Sequence, residues 1–227
     1  MRILTVVGTR SSGKTTIITG LIKELISRGY KVGTIKSIFC PGFQMDKPGT
    51  NTFRHRTAGA AVIAARADHN TVLMYPDKLS ASDLLSHYRE CNWVLCEGDY
   101  EIPCPRIVAA HAAEDARERI NSLTFAVSGI IANQMTVLDQ LPVINATDHI
   151  DDLADLCLRS VPECTDLSAL DSVLHGEDIV LSRAWCTEGC HGHSAKKKGV
   201  VAVVDGHPLS LTPEQEQVLR TWASNPQ

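Results

Sequence analysis

Residues 8–15 read Gly8-Thr9-Arg10-Ser11-Ser12-Gly13-Lys14-Thr15, an unbroken G-x-x-x-x-G-K-[ST] pattern. Its flanks tighten the reading. Arg2-Ile3-Leu4-Thr5-Val6-Val7 before it is a strand candidate. After it, Ile17, Ile18, Leu21, Ile22, Leu25 and Ile26 fall on one stripe at 3.6-residue spacing, and Gly29 supplies a helix stop. A strand, a glycine-rich turn and an amphipathic helix in that order form a phosphate-binding loop. Two glycines let successive backbone N–H groups turn toward phosphate oxygens. The helix N-terminus adds its positive end, and Lys14 adds a full charge. The residues assigned to phosphate are Gly8, Thr9, Arg10, Ser11, Ser12, Gly13, Lys14, Thr15 and Thr16, with the Thr15 hydroxyl offered to Mg2+.

The rest of the chain extends this pattern. Strands are expected over residues 31–35, 71–75, 93–96, 106–110, 124–131 and 142–144. Helices are expected over 54–66, over 80–90 with Ser80 or Ser82 as cap, and over 148–158 with Asp148 as cap. The run Trp93-Val94-Leu95-Cys96 is apolar throughout, as a strand buried on both faces should be. Strands alternating with helices predict an α/β fold: a doubly wound, mostly parallel sheet of the P-loop NTPase type. Composition changes after Val161. The expected organisation is a nucleotide-binding domain over 1–161, a linker over 162–198, and a small hairpin-plus-helix appendage over 199–227.

Composition excludes several function classes. Apolar residues are 44% and charged residues 21%, enough for a packed core and too apolar for wholesale disorder. The net charge of −4 predicts no bulk attraction to nucleic acid or anionic lipid. No apolar stretch has the length of a membrane span. Eight cysteines in 227 residues are too sparse for a disulfide scaffold, and the short apolar start is cut off by the loop, so reduced thiols in a cytoplasmic protein are expected.

A phosphate loop works with an acid at the end of a neighbouring buried strand. Glu97, directly after Trp93–Cys96, fits that place and is assigned to Mg2+ beside Thr15. Asp46 lies in the long polar segment 36–56 with Lys47, Arg54, His55 and Arg56, as a switch-type loop over the phosphates would; a solvated charged loop reads equally well. Lys14, Asp46 and Glu97 are therefore the catalytic candidates. The chain has no Asn-Lys-x-Asp run to read guanine. Asn133, after a buried strand, is a candidate for the base amide or, equally, for capping the next turn. Cys186, Cys190, His191 and His193 are candidate Zn2+ ligands. Adjacent Cys190 and His191 do not readily share one tetrahedral ion, and an exposed reactive loop is the alternative.

At these residues the sequence resembles the molybdopterin-guanine dinucleotide biosynthesis protein B (MobB) family of P-loop GTP-binding proteins. The likeness runs through Gly8–Thr16, Lys36, Asp46-Lys47-Pro48-Gly49, Phe53-Arg54-His55-Arg56, Ala58-Gly59-Ala60, Glu97-Gly98 and Pro105-Arg106-Ile107. It continues through Ser128-Gly129-Ile130-Ile131-Ala132-Asn133 and Pro142-Val143-Ile144-Asn145, about the first 160 residues. Lys36-Ser37 stands where the family typically has Lys-His. The resemblance implies a homodimer that binds GTP with Mg2+, hydrolyses it weakly at most, and assists a MobA-like guanylyltransferase. That partner joins GMP to molybdopterin in the molybdenum or tungsten cofactor. Two other functions share the fold: a small-molecule kinase, and a metallochaperone-like GTPase carrying metal on its Cys–His tail.

Overall fold

A computed structural model describes residues 1–40, 42–98 and 104–163, together with the backbone of short strands between 180 and 208. Two compact units are present, one of Met1–Ser37 and Tyr88–Gln227 and one of Ile38–His87.

The first unit is built on five parallel strands: β1 (Arg2–Gly8), β2 (Val32–Lys36), β5 (Trp93–Glu97), β6 (Arg106–Ala109) and β7 (Thr124–Ser128). Their order is β2-β5-β1-β6-β7, with β1 pairing β5 on one side and β6 on the other. The strand order reverses around β1, so its carboxyl end is a switch point where α/β sheets bind ligands. The sheet is covered on both faces because neighbouring residues on β1 point opposite ways. Leu4 and Val6 join Ile17, Leu21 and Leu25 of α1 (Lys14–Ser27), and Leu153, Ala154 and Cys157 of α5 (Ile150–Ser160). Val7 joins Val108, Ala116, Val127, Ile131 and Val143 on the other face. Trp93, Val94, Leu95 and Cys96 are each fully buried, as their unbroken apolar run predicts. Helices α1 and α5 approach closely: a Cβ at Gly20 would stand 2.8 Å from the Ile150 side chain. Their polar edge is tied by Arg28, which bonds Glu24 of its own helix at 2.8 Å and Asp155 of α5.

Several elements differ from the pattern read in the sequence. Residues 54–66 are not one helix. Within the second unit, α2 (Asn51–Thr57) ends at Ala58, and Gly59 with φ 95° turns the chain into β3 (Ile63–Arg66), which pairs antiparallel with β4 (Thr71–Met74). A left-handed glycine after a short helix outweighs a helical spacing that Ala-rich sequence satisfies by chance. Residues 124–131 are not one strand either. Strand β7 stops at Ser128, and Gly129 leads into a 3₁₀ turn over Ile130–Asn133. Finally, Asp148 does not cap α5. The cap position is His149, which makes no side-chain cap bond, and Asp148 accepts a hydrogen bond from Asn145 instead.

Ser80 caps α3 (Ala81–Ser86) as one of the two expected caps, accepting from the Asp83 N–H at 3.1 Å, but the helix stops short of the 80–90 expected. Among the described residues, α4 (Ala113–Arg117) before β7, and the tight hairpin of β8 (Val137–Leu138) with β9 (Leu141–Pro142) beyond it, are elements outside the pattern read in the sequence. The hairpin's turn residues Asp139 and Gln140 both have positive φ, and Asp139 is held by Arg117 at 2.8 Å. Further along the chain, β13 (Val201–Val204) pairs antiparallel with β10 (Val180–Ser182) and with β14 (His207–Pro208), the latter at residues expected to form a turn.

Candidate nucleotide-binding site

The loop from Gly8 to Thr15 leaves the carboxyl end of β1 and enters α1 through Gly13. That helix begins without a side-chain cap and without an acidic residue in its first turn, so its N–H groups and positive end face outward uncompensated by side chains. Ser12 is buried and closes the loop, its hydroxyl donating to Thr9 O at 2.9 Å. Lys14 curls back over the loop, donating to Gly8 O at 3.0 Å and Thr9 O at 2.5 Å. The Thr9 hydroxyl is buried without a hydrogen-bond partner among the described residues. A buried polar group left so costs about 1–3 kcal/mol. An orphaned hydroxyl, a lysine and bare helix amides converging on one loop fit an anion.

Two glycines hold the loop against the sheet. A Cβ at Gly8 would stand 2.0 Å from Ala109 O. Gly129 backs the loop from β7: with φ 92°, its Cβ would stand 2.2 Å from Ser12 O and 3.1 Å from Ala110 N. The part played by Gly129 is invisible in the sequence, because it depends on which strand lies two places from β1.

Glu97 is the last residue of β5, level with Val6 on β1 and Lys36 on β2. The Thr15 hydroxyl donates to Glu97 Oε1 at 2.9 Å, and Lys36 Nζ bonds the same oxygen at 2.6 Å. The Glu97 side chain is 12% exposed and that of Lys36 58%, so the carboxylate is largely covered and the lysine reaches in from solvent. A hydroxyl and a carboxylate side by side are hard oxygen donors suited to Mg2+. Among the described residues no group of three or more His, Cys, Asp or Glu gathers as a metal site.

Asp46 belongs to the second unit. Its Oδ1 accepts from Thr50 Oγ1 at 2.7 Å, Thr52 Oγ1 at 3.1 Å and Lys47 N at 2.9 Å. The Thr50 bond, with Thr52, Lys47 and Arg56 adding to it, holds its carboxyl below the usual range. Asn133 ends the 3₁₀ turn, and its Oδ1 accepts from Asn145 Nδ2 at 3.0 Å. Of the tail cluster, Cys186 lies on β11 (Trp185–Cys186), paired with Lys197 of β12 (Lys197–Lys198). Cys190, His191 and His193 lie outside the described residues. No described helix is long and apolar enough to cross a membrane.

The chain is 32% identical over 114 residues to a putative molybdopterin-guanine dinucleotide biosynthesis adapter protein of Methanocaldococcus jannaschii, a match covering 48% of this chain and 47% of that one. It is 32% identical over 110 residues to the molybdopterin-guanine dinucleotide biosynthesis adapter protein of Haemophilus influenzae, covering 47% and 61%. The matched region thus spans about half the length of these curated relatives. The crystal structure of Bacillus subtilis MobB superposes with a TM-score of 0.59 at 27% identity, covering 71% of this chain and 98% of that one. The family profile of molybdopterin guanine dinucleotide synthesis protein B matches residues 3–133, from the first strand through Asn133, and the chain belongs to that MobB family.

Proposed function

We propose that this chain is a GTP-binding accessory protein in the making of the molybdenum or tungsten cofactor, assisting the attachment of GMP to molybdopterin. The observation that carries the nucleotide reading is the Thr15–Glu97 hydrogen bond at 2.9 Å beside a loop with an orphaned Thr9 hydroxyl. It supports a triphosphate–Mg2+ site in which backbone amides, Lys14 and Thr15 hold phosphate and Glu97 holds the cation. Bound Mg2+ supplies positive charge to the phosphate oxygens. Lys14 neutralises the same oxygens from the loop side, and its present carbonyl partners are weaker acceptors than phosphate. The names of the curated relatives support the pathway, and the family likeness supports GTP, a homodimer and a MobA-like guanylyltransferase as partner.

Chemistry in this role is positional. The loop and Mg2+ hold the nucleotide, and the partner enzyme carries out the transfer, with weak GTP hydrolysis at most on this chain. The test is equilibrium titration of the purified full chain with GTP and ATP in Mg2+, followed by pull-down with a guanylyltransferase in each nucleotide state. Mg2+-dependent GTP binding and nucleotide-dependent capture are expected. Firm ATP preference with rapid phosphate transfer to a small metabolite overturns the accessory reading in favour of a kinase.

A further inference from the structure

The three polar residues past the last strands, Asn133, Asn145 and Asp148, are joined side to side. Asn145 Nδ2 donates to Asn133 Oδ1 at 3.0 Å and to Asp148 Oδ2 at 2.9 Å, while Asn145 Oδ1 accepts from Thr147 N at 2.9 Å. Every polar atom of the Asn145 side chain is thereby used. Its orientation is dictated by partners that have no choice: a backbone N–H only donates, and an ionised carboxylate only accepts. Asn145 in turn fixes Asn133, whose carbonyl must meet the Asn145 amide, so that its own NH2 group faces away from Asn145. The outcome is a donor, Asn133 Nδ2, and an acceptor, the Asp148 carboxylate, on two exposed side chains either side of a half-buried bridge.

The placement matches the far end of a nucleotide. Gly129 touches the phosphate loop, and the turn that follows it ends on Asn133. Val143 extends the sheet by pairing with Val127, with Ile144 N bonded to Val127 O at 3.0 Å and Ser128 Oγ to Ile144 O at 2.6 Å. Asn145 therefore leaves the same carboxyl edge as the loop, two to three strand spacings, or about 10–14 Å, from β1. Neither terminal residue is occupied by helix capping: the α5 cap position is His149, which makes no side-chain cap bond.

We infer that Asn133 and Asp148, set by Asn145, read the base and select guanine, with Asp148 the specificity-determining residue. The inference rests on the triphosphate site proposed above. Guanine presents acceptors at O6 and N7 for the Asn133 amide, and donors at N1–H and the 2-amino group for the Asp148 carboxylate. Adenine carries a lone pair at N1 and no 2-amino group, so the carboxylate faces an acceptor and repels it. The familiar four-residue guanine signature is thus replaced by residues from two separate segments, brought together by a parallel strand pairing.

The experiment is titration of wild type, Asp148→Asn and Asn145→Ala with GTP, ATP and xanthosine triphosphate in Mg2+, with thermal melting to confirm folding. Xanthine bears a carbonyl oxygen in place of the 2-amino group, and the amide of Asp148→Asn offers it a donor. Wild type is expected to prefer GTP over ATP by roughly 5- to 150-fold, one good bidentate pair. Asp148→Asn is expected to lose that preference and favour xanthosine triphosphate over GTP. Asn145→Ala, which releases both readers, is expected to weaken GTP while leaving ATP unchanged. If GTP still binds and Asp148→Asn keeps its full preference over xanthosine triphosphate, the base-reading assignment is overturned and the phosphate site stands. If wild type binds none of the three, the phosphate site fails and this inference with it.

Discussion

Thr15 and Glu97, 82 residues apart in sequence, share a hydrogen bond of 2.9 Å that ties the first turn of α1 to the last residue of β5. The parallel pairing of β1 with β5 makes the contact possible, because it sets Glu97 level with Val6, just before the loop begins. Lys36, level with Glu97 on the other side, completes a row of hydroxyl, carboxylate and ammonium along the sheet's carboxyl edge.

Lys36 and a divalent cation draw on the same carboxylate oxygen, so they compete. Lys36→Met is expected to lower the Mg2+ concentration at which nucleotide binding is half-maximal, and Glu97→Gln to raise it. Both are read from Mg2+ titrations at fixed GTP. An identical midpoint in Glu97→Gln would reject its role at the metal.

Lys14→Ala removes from the loop the ammonium that donates to the Gly8 and Thr9 carbonyls. Hydrogen bonds to charged groups contribute about 1.5–3 kcal/mol, so triphosphate affinity should fall by roughly tenfold to a hundredfold or more. The melting temperature should hardly move. Calorimetric titration and a thermal melt of the same sample check both.

Gly129→Ala adds a methyl group 2.2 Å from Ser12 O at a backbone conformation that favours glycine. The backbone conformation alone costs about 1–3 kcal/mol. The clash with the loop adds to it, so both stability and nucleotide affinity should drop. Gly29→Ala has positive φ but nothing within 4 Å of the new methyl group. It should lose stability only, and denaturant melts with nucleotide titration separate the two cases.

The Arg28 bond holds the Asp155 carboxyl below its ordinary range. A carboxylate whose folded value is depressed contributes stability that is fully present above its unfolded value and is lost as pH falls through the folded one. Asp155→Asn should therefore melt lower than wild type at pH 7 and remain lower down to about pH 4. The two melting curves should converge in stronger acid. A difference that persists unchanged into strong acid would show that the pair is not the cause.

Burial pushes the Cys96 and Cys157 thiols up to about 12. Thiolate is the reactive form, and both residues are buried, Cys157 in the core between sheet and helices. Neither should take up iodoacetamide at pH 8 in the folded protein, and both should do so in denaturant, as mass spectrometry of the digested chain reports.

Local chemistry made much of this protein legible from its residues in order. The loop from Gly8 to Thr15, the stripe from Ile17 to Leu25 and the all-apolar Trp93–Cys96 run each carry their signal within a dozen residues, because backbone conformation and burial on one element depend on near neighbours. Residues 54–66 misled for the complementary reason: a short Ala-rich stretch satisfies helix spacing, and only the pairing of β3 with β4 and the turn at Gly59 settle it as two elements. Glu97 was legible as the acid beside Thr15, because it directly follows a buried apolar run, but other partners within the site were not. That Lys36 bonds the same carboxylate, that Gly129 backs Ser12, and that Asn145 sits between Asn133 and Asp148 all depend on strand order and parallel register. Those are set by long-range burial of both sheet faces, which no local spacing encodes.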